Sequence, residues 1–194
     1  VGDVVQFESH GSVYLARDIF KQADVDGLRR IRRDMRVSFV QLVNEGANSH
    51  MIGSAMSGLG RNICQRLLQL GEQRIGEPPV PYCFLAFGSM AREEQLIVTD
   101  QDHAFVLDDA FDETRHDEYF ETLARFVSDG LAQCGFPYCS GDIMGTNPRW
   151  RQPLRVWKEY FEQWIFAPDP EALLNSSIFF DLAGIHGETR FAEV

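Results

Sequence analysis

The sequence has few cysteines, and their spacing excludes a disulfide-stabilised fold. Four cysteines are spread unevenly over 194 residues, so they do not form a disulfide framework. Cys134 and Cys139 are close enough in sequence to suggest a metal pair. No second pair or histidine cluster completes the four-ligand set that structural zinc requires. We therefore expect reduced thiols, most of them buried.

The sequence also lacks any long apolar run. No stretch approaches the roughly 20 apolar residues that span a bilayer. The first residues, VGDVVQFESHG, have no basic-then-apolar signal pattern. These two absences argue against membrane insertion and favour a cytoplasmic protein.

Basic residues are scarce in the middle of the chain. Residues 77–147 carry 3 Lys and Arg against 14 Asp and Glu, and this segment accounts for the whole acidic excess in a net charge of −11. Such a surface repels nucleic acid, whose binding depends on neutralisation of phosphates by Lys and Arg. It also repels a free nucleotide unless divalent cations accompany it. A solvated acidic face explains most of these charges, and a metal-dependent site is consistent with them.

Hydrophobic periodicity divides the chain into three predicted units. Residues 1–76 read as an N-terminal helical segment and linker, with apolar positions spaced three and four apart in two helices, 26–44 and 49–76. Two prolines after Glu77 break this pattern. Residues 77–147 then read as strand 82–87, strand 98–107, helix 113–133 and a short third strand at 138–145. This order predicts an α+β core with a small mixed sheet, flanked by helical segments.

Residues 148–194 form the third predicted unit, a C-terminal helical segment. Trp150, Trp157 and Trp164 recur every seven residues, which places them near one helix face. Aromatic side chains stack on nucleobases, but a stripe at this spacing is far more often core packing, and we take it as core. A last helix is predicted to begin at Pro168. Its apolar face needs a partner, so we expect the sequence to be a piece of a longer protein.

Residues 88–102, GSMAREEQLIVTDQD, carry the strongest functional signal. Gly88 and Ser89 follow one predicted strand, and Asp100 and Asp102 lie at the start of the next. Residues two apart in a strand point to the same side, so the two carboxylates project together. Carboxylates this close repel each other unless a cation lies between them, and Mg²⁺ is the natural candidate because it prefers oxygen ligands. Two such ions can clamp the reacting oxygens of a phosphoryl transfer.

The segment between the two motifs offers groups for a triphosphate. Gly88 allows the backbone to approach phosphates closely, and the hydroxyl of Ser89 can donate to them. Arg92 is the only Lys or Arg between Val80 and Asp108, so it is the best candidate for neutralising phosphate charge. Each feature alone is common: Asp-x-Asp occurs in many turns, and Arg92 can form an ordinary surface ion pair. Their combination carries the prediction.

These residues resemble the polymerase-β-type nucleotidyltransferase superfamily, whose pattern is Gly-Ser or Gly-Gly followed by Asp-x-Asp. Within it, the sequence is similar to the uridylyltransferase that modifies the nitrogen-regulatory PII protein. It is more similar still to nucleotidyltransferases found beside CBS and cyclic-nucleotide-binding domains in bacterial signalling proteins. The resemblance covers about residues 30–194. It rests on three blocks, GSMAREEQLIVTDQD, GDIMGTNPRWRQPLRVW and PEALLNSSIFFDL.

The resemblance implies a role for each motif. Gly88 and Ser89 would hold phosphates of a nucleoside triphosphate (NTP), and Asp100 and Asp102 would bind two Mg²⁺ ions. The superfamily uses a third carboxylate, for which Asp142 is the candidate, although a turn-forming Asp after Ser-Gly is an equal interpretation. Such families usually have Gly where this chain has Ala91.

The resulting expectation is transfer of a nucleoside monophosphate from an NTP to an acceptor hydroxyl. The resemblance favours an acceptor on a regulatory protein, with CBS or cyclic-nucleotide-binding domains elsewhere in a longer chain. Two alternatives remain open at this point. The chain could bind NTP and magnesium as a sensing or scaffolding module without turnover, or it could be a purely structural helical adaptor.

Overall fold

The computed structural model describes residues 14–167 and 170–193, in which helices surround a small sheet. The helices are α1 (14–21), α2 (Val25–Asn44), α3 (Ser49–Ile75), α4 (Gly88–Ala91), α5 (Glu113–Gln133), α6 (Leu154–Phe166) and α7 (Pro170–Phe179). The strands are β1 (Tyr82–Phe87), β2 (His103–Leu107), β3 (Arg151–Pro153) and β4 (Leu182–Gly187), and short 3-10 turns cover Pro148–Trp150 and Thr189–Ala192. The helices predicted over 26–44, 49–76 and 113–133 and the strand predicted over 82–87 are confirmed.

The four strands form one mixed sheet in the order β3-β2-β1-β4. Strand β1 is antiparallel to both β2 and β4, and β3 runs parallel to β2. The predicted α+β architecture, a small mixed sheet with helices on both flanks, is confirmed. Because β1 and β2 are the two central strands, the loops at their ends are held by the most buried part of the fold.

Both faces of the central strands are buried, which is why these strands read as continuous apolar runs. On one face lie Tyr82, Phe84, Ala86, Phe105 and Leu107, packed against α2, α3 and α5. On the other face lie Cys83, Leu85, Phe87, Ala104 and Val106, packed against the three tryptophans and Phe179. The sheet is therefore the middle layer between two helical layers.

The core interpretation of the tryptophan stripe is confirmed. Trp150, Trp157 and Trp164 are 4%, 2% and 6% exposed and pack in one cluster under the sheet. The Trp157 indole donates a hydrogen bond to the Phe105 carbonyl of β2 (3.0 Å), which fixes α6 against the sheet. The three tryptophan side chains are thus buried in the core.

The third strand predicted over 138–145 is wrong. This segment consists of turns: Asp142 has a positive φ of 56°, and its amide donates to the Cys139 carbonyl. A left-handed residue reverses the chain direction and interrupts strand pairing. One hydrogen bond, from the His103 amide to the Ile143 carbonyl (3.1 Å), ties the segment to the start of β2.

The segment predicted to be helical over 148–194 contains α6 and α7, but it also supplies β3 and β4, which the sequence analysis did not predict. The last predicted helix ends at Phe179, and after Asp181 the chain pairs with β1 as β4. Pro168, where that helix was predicted to begin, and residues 1–13 lie outside the described residues. The division into three units stays a prediction. Within the described ranges, no helix has both the length and the apolar character to cross a membrane.

Candidate active site

The two aspartates of the Asp-x-Asp motif converge at the entrance to β2. The predicted strand 98–107 begins only at His103, so Asp100 and Asp102 lie in the extended segment before it. The predicted alternation nevertheless holds, because Gln101 and His103 are buried while Asp100 is exposed and Asp102 is half-buried. Carboxylate oxygens of Asp100 and Asp102 lie within 4.8 Å of each other. The pair thus has the oxygen chemistry and spacing to hold a divalent cation.

The Gly88 bend forms the opposite side of the site. Gly88 has a φ of +55°, and a Cβ built at this position would lie 3.5 Å from the Asp102 Oδ2 atom. The Phe87 amide donates to the Asp102 carbonyl (3.0 Å), and the Gly88 amide donates to the Asp181 carbonyl (3.2 Å). Because β1 and β2 are adjacent and antiparallel, the end of one strand and the start of the other meet at this point. Gly88 and Asp102, fourteen residues apart in the sequence, are thereby brought close together.

A buried amide–imidazole pair anchors the aspartates from behind. The Gln101 side-chain amide donates to the Ser128 and Phe136 carbonyls (3.0 and 2.8 Å). The Gln101 oxygen lies 3.2 Å from His103 Nε2, and the Gly145 amide donates to His103 Nδ1 (3.1 Å). This pattern assigns the hydrogen to Nε2, so every hydrogen-bonding group of both side chains is satisfied.

Burial lowers the pKa of His103 to about 3, so the ring is neutral in the folded protein at neutral pH. It faces away from the aspartates, as the alternation predicts. His103 therefore has a structural role in the site. Sequence reasoning did not identify Gln101, whose only signal is its position between the two aspartates.

Cys139 is the third member of the acidic cluster. Its sulfur and one oxygen from each aspartate all lie within 4.8 Å of one another. The Cys139 thiol hydrogen-bonds to Asp102, and burial raises the pKa of the thiol. No local sequence pattern predicts this contact, because it depends on the turn after α5 folding back over the start of β2.

The local environment also raises the pKa of Asp102. Burial is the main cause, the negative charge of Asp100 adds to it, and the Cys139 thiol opposes it. The ionised carboxylate is therefore disfavoured where it lies, which is the condition that a bound cation relieves. The cavity behind the two aspartates has a volume of only about 10 Å³. A ligand must approach from the outer side, where Asp100 is exposed.

The proposed phosphate-binding groups surround the start of α4. The Ser89 hydroxyl lies 3.0 Å from the Thr99 hydroxyl, so the loop contributes a second hydroxyl that the sequence did not indicate. The Arg92 guanidinium is paired with Glu94 and with Asp181, both at 2.8 Å. Its side chain is 42% exposed, so these ion pairs contribute little and can be exchanged for phosphate contacts.

The structure does not bring Asp142 into the cluster. Asp142 is exposed in the turn over 139–142, and its carboxylate accepts a hydrogen bond from the Asn147 amide (3.1 Å). The turn-forming interpretation describes this placement. A catalytic role for Asp142 stays a prediction without geometric support.

Helix α3 supports the loop that follows α4. A Cβ at Gly53 would lie 2.6 Å from the Glu93 carbonyl oxygen, so the loop packs directly on the helix backbone. Arg61 pairs with the Glu93 carboxylate (2.9 Å), and Ser57 accepts a hydrogen bond from the Gln95 amide (3.1 Å). The N-terminal helices are therefore part of the framework of the site.

Comparison with known proteins identifies the family. The family model described as "Putative nucleotidyltransferase DUF294" matches residues 33–171, which is most of the chain and includes Gly88, Ser89, Arg92, Asp100, Asp102, Cys139 and Asp142. The chain belongs to this nucleotidyltransferase family. None of the curated proteins compared with it matches. Nucleotidyltransferases act on NTPs with divalent metals, and the Asp100–Asp102 pair is an acidic group that can hold such an ion.

Proposed function

We propose that the chain is a metal-dependent nucleotidyltransferase that moves a nucleoside monophosphate from an NTP to an acceptor hydroxyl. One observation carries this proposal. Asp100 and Asp102 converge beside the Gly88 bend, in a chain that belongs to a nucleotidyltransferase family. Two carboxylates facing a glycine at a strand end form a compact site that accommodates both phosphates and the cations that neutralise them.

The donor set of the two aspartates fits magnesium. Carboxylates are hard oxygen ligands, and burial together with the negative charge of Asp100 raises the pKa of Asp102, a condition that a bound cation would relieve. Asp100 and Asp102 would hold the two Mg²⁺ ions, which would stabilise charge on the attacking and leaving oxygens. The contribution of the chain is to hold both carboxylates in place through Gln101, which is buried between them.

The groups around α4 would hold the triphosphate. The Ser89 and Thr99 hydroxyls donate to phosphate oxygens, and Gly88 leaves room for them. Arg92 exchanges its pairing with Glu94 and Asp181 for a forked phosphate contact. The acceptor hydroxyl then attacks the α-phosphorus, its proton leaves to solvent, and the bond to the β-phosphate breaks to release pyrophosphate.

The acceptor and the wider context belong to the same proposal. The sequence blocks that resemble uridylyltransferases of bacterial signalling support an acceptor hydroxyl on a regulatory protein. They also support CBS or cyclic-nucleotide-binding domains in a longer chain. Within that context, the helices around the sheet would position the acceptor.

A second candidate function is an NTP–magnesium sensor without turnover. The observation that favours it is the position of Asp142, outside the cluster and bonded to Asn147, which leaves the two aspartates without a third carboxylate from that turn. Binding by this module would require the same aspartates. The two functions differ only in pyrophosphate release.

A screen of the four NTPs tests the proposal. Each α-labelled NTP is incubated with Mg²⁺, the protein and an extract containing candidate acceptors, and label transfer and pyrophosphate are measured. Transfer by the wild type, with background levels for Asp100→Asn/Asp102→Asn, supports the enzyme. Calorimetric binding of an NTP with pyrophosphate at background supports the sensor. Equal signals from the wild type and the double variant would overturn both.

A further inference from the structure

The cluster at the candidate active site contains a sulfur ligand as well as two carboxylates. Cys139 Sγ and one oxygen each of Asp100 and Asp102 lie within 4.8 Å of one another. Ligand atoms of a tetrahedral zinc ion, at about 2.0–2.3 Å from it, lie roughly 3.3–3.7 Å apart. The three atoms can therefore reach one ion once the cluster contracts around it.

Two backbone amides of the turn that carries Cys139 point toward its sulfur. Asp142 adopts a φ of +56° in this turn, between Gly141 and Ile143. The backbone amides of Gly141 and Ile143 both hydrogen-bond to the Cys139 sulfur. These two donors partly offset the burial that raises the pKa of the Cys139 thiol.

We propose that Cys139 is a metal ligand, which acts with Asp100 and Asp102 to make one ion position of the site prefer thiophilic divalent cations such as Zn²⁺ over Mg²⁺. The inference rests on the proposed function, since it concerns the ions of that site. Thiolate ligands favour zinc and other soft or borderline ions, whereas carboxylates and water suit magnesium. On binding, the thiol proton is released to solvent.

A competing explanation is that Cys139 only orients Asp102 through its S–H hydrogen bond. The variant Cys139→Ser distinguishes the ligand role from the orienting role, because serine keeps a hydrogen-bond donor but replaces sulfur with a hard oxygen. An orienting role predicts the same metal preference in the wild type and in Cys139→Ser. A ligand role predicts that the preference for Zn²⁺ disappears while Mg²⁺ binding persists.

The experiment measures metal binding to the nucleotide-free protein. Zn²⁺ affinity is determined by competition with a chromophoric chelator, and Co²⁺ is added as a spectroscopic probe of thiolate coordination. Cys134→Ala is the matched control, because Cys134 is a buried thiol five residues away and outside the cluster. Asp142→Asn controls for a change in the acidity of the same turn.

We expect a thiolate-to-cobalt charge-transfer band in the wild type and in both controls, and none in Cys139→Ser. Zn²⁺ affinity should fall at least about 100-fold in Cys139→Ser, beyond the 10–100-fold that loss of an outer partner costs. Mg²⁺ affinity should stay the same. Absence of the band from the wild type, or equal Zn²⁺ affinity in the wild type and Cys139→Ser, would overturn the proposal.

These outcomes are separate from those of the NTP screen. A cobalt–thiolate band without label transfer supports Cys139 as a ligand and contradicts only the enzymatic function. Label transfer that requires the two aspartates, with no band in the wild type, contradicts the ligand role of Cys139 and leaves the proposed function standing.

Discussion

At the scale of single residues, alternation along residues 100–103 determines the site. Asp100 and Asp102 face outward, whereas Gln101 and His103 face the core. Sequence reasoning predicted this division because period-two geometry depends only on an extended backbone. It could not predict the Cys139 contact, since that contact depends on the tertiary position of a turn 37 residues from Asp102.

The raised pKa of Asp102 leads to a stability prediction. In the presence of a chelator at pH 7, Asp102→Asn should stabilise the fold by roughly 1 kcal/mol, the interaction of two charges about 4 Å apart in water. The melting temperature should rise by about 2–4 °C for a chain of this size. Thermal unfolding measures the change, and Asp142→Asn, an exposed Asp outside the cluster, should leave it near zero.

The gain in stability from Asp102→Asn should depend on pH. A carboxyl whose pKa is raised on folding destabilises the protein where it is ionised, so the gain from Asn is full above the folded pKa. This gain in stability shrinks as pH falls through the folded pKa of Asp102 and vanishes below the unfolded pKa of about 3.9. A gain that grows with acidity would contradict the assignment.

Substitution of Gly88 should lower the affinity for nucleotide. Gly88→Ala places a methyl group beside Asp102 Oδ2 and strains a residue at a φ of +55°. The strain should cost about 1–2 kcal/mol of stability. Mg²⁺–NTP affinity, measured by calorimetry, should also fall. Gly46→Ala is the control, because Gly46 has a φ of +77° with no atom within 4 Å of its added Cβ. Equal NTP affinity in the two variants would contradict the placement of phosphates at Gly88.

At the scale of elements, the longer periodic segments were predictable and the short ones were not. Helices α2, α3 and α5 show several turns of apolar spacing, and β1 is an unbroken apolar run. Strand β3 has only three residues, too few for a period, and includes a proline. Strand β4, LAGIHG, directly follows a helix without a turn signal, and its pairing with β1 is a non-local contact. Local sequence patterns do not encode such pairings.

The segment before β2 depends on the amide of Gln101. Gln101→Leu removes the hydrogen bonds to the Ser128 and Phe136 carbonyls and leaves His103 Nε2 only its longer contact with the Ser128 hydroxyl (3.4 Å). The cost should be about 1–3 kcal/mol for each group left unsatisfied. Because the aspartates on either side then lose their anchor, metal affinity should fall as well. Chemical denaturation and Zn²⁺ titration measure the two effects.

The control for this variant is Gln41→Leu, which removes an exposed amide that bonds only to Glu45. Gln41→Leu should change neither the free energy of unfolding nor the Zn²⁺ affinity appreciably. Unchanged metal affinity in Gln101→Leu, with the fold retained, would show that the aspartates are positioned without the buried amide.

At the scale of the whole molecule, the sheet is buried between two helical layers built from all three predicted units. The core on one face includes Leu28, Met56 and Ile63 from the N-terminal helices. The core on the other face includes Trp157 and Phe179 from the C-terminal segment. The predicted nucleotidyltransferase core at 77–147 contains only two of the four strands, so it lacks partners for both of its faces.

We therefore expect residues 77–147 alone to be unfolded, whereas residues 14–193 fold cooperatively. Without the flanking segments, β1 and β2 form a two-stranded sheet that exposes apolar side chains on both faces, which is marginal in water. Near-ultraviolet circular dichroism and urea denaturation distinguish the two states. A cooperative urea transition for residues 77–147 would show that the flanking helices and β4 are dispensable for the fold.

The central claim is that Asp100 and Asp102 together hold the cation of a bound nucleotide. Calorimetric titration of each Mg²⁺–NTP into the wild type, Asp100→Asn/Asp102→Asn and Asp142→Asn tests it most directly. We expect at least one NTP to bind to the wild type and to Asp142→Asn. We also expect at least about a 100-fold loss in the double variant, whose unfolding temperature is equal or higher. Undiminished affinity in a folded double variant would contradict the claim.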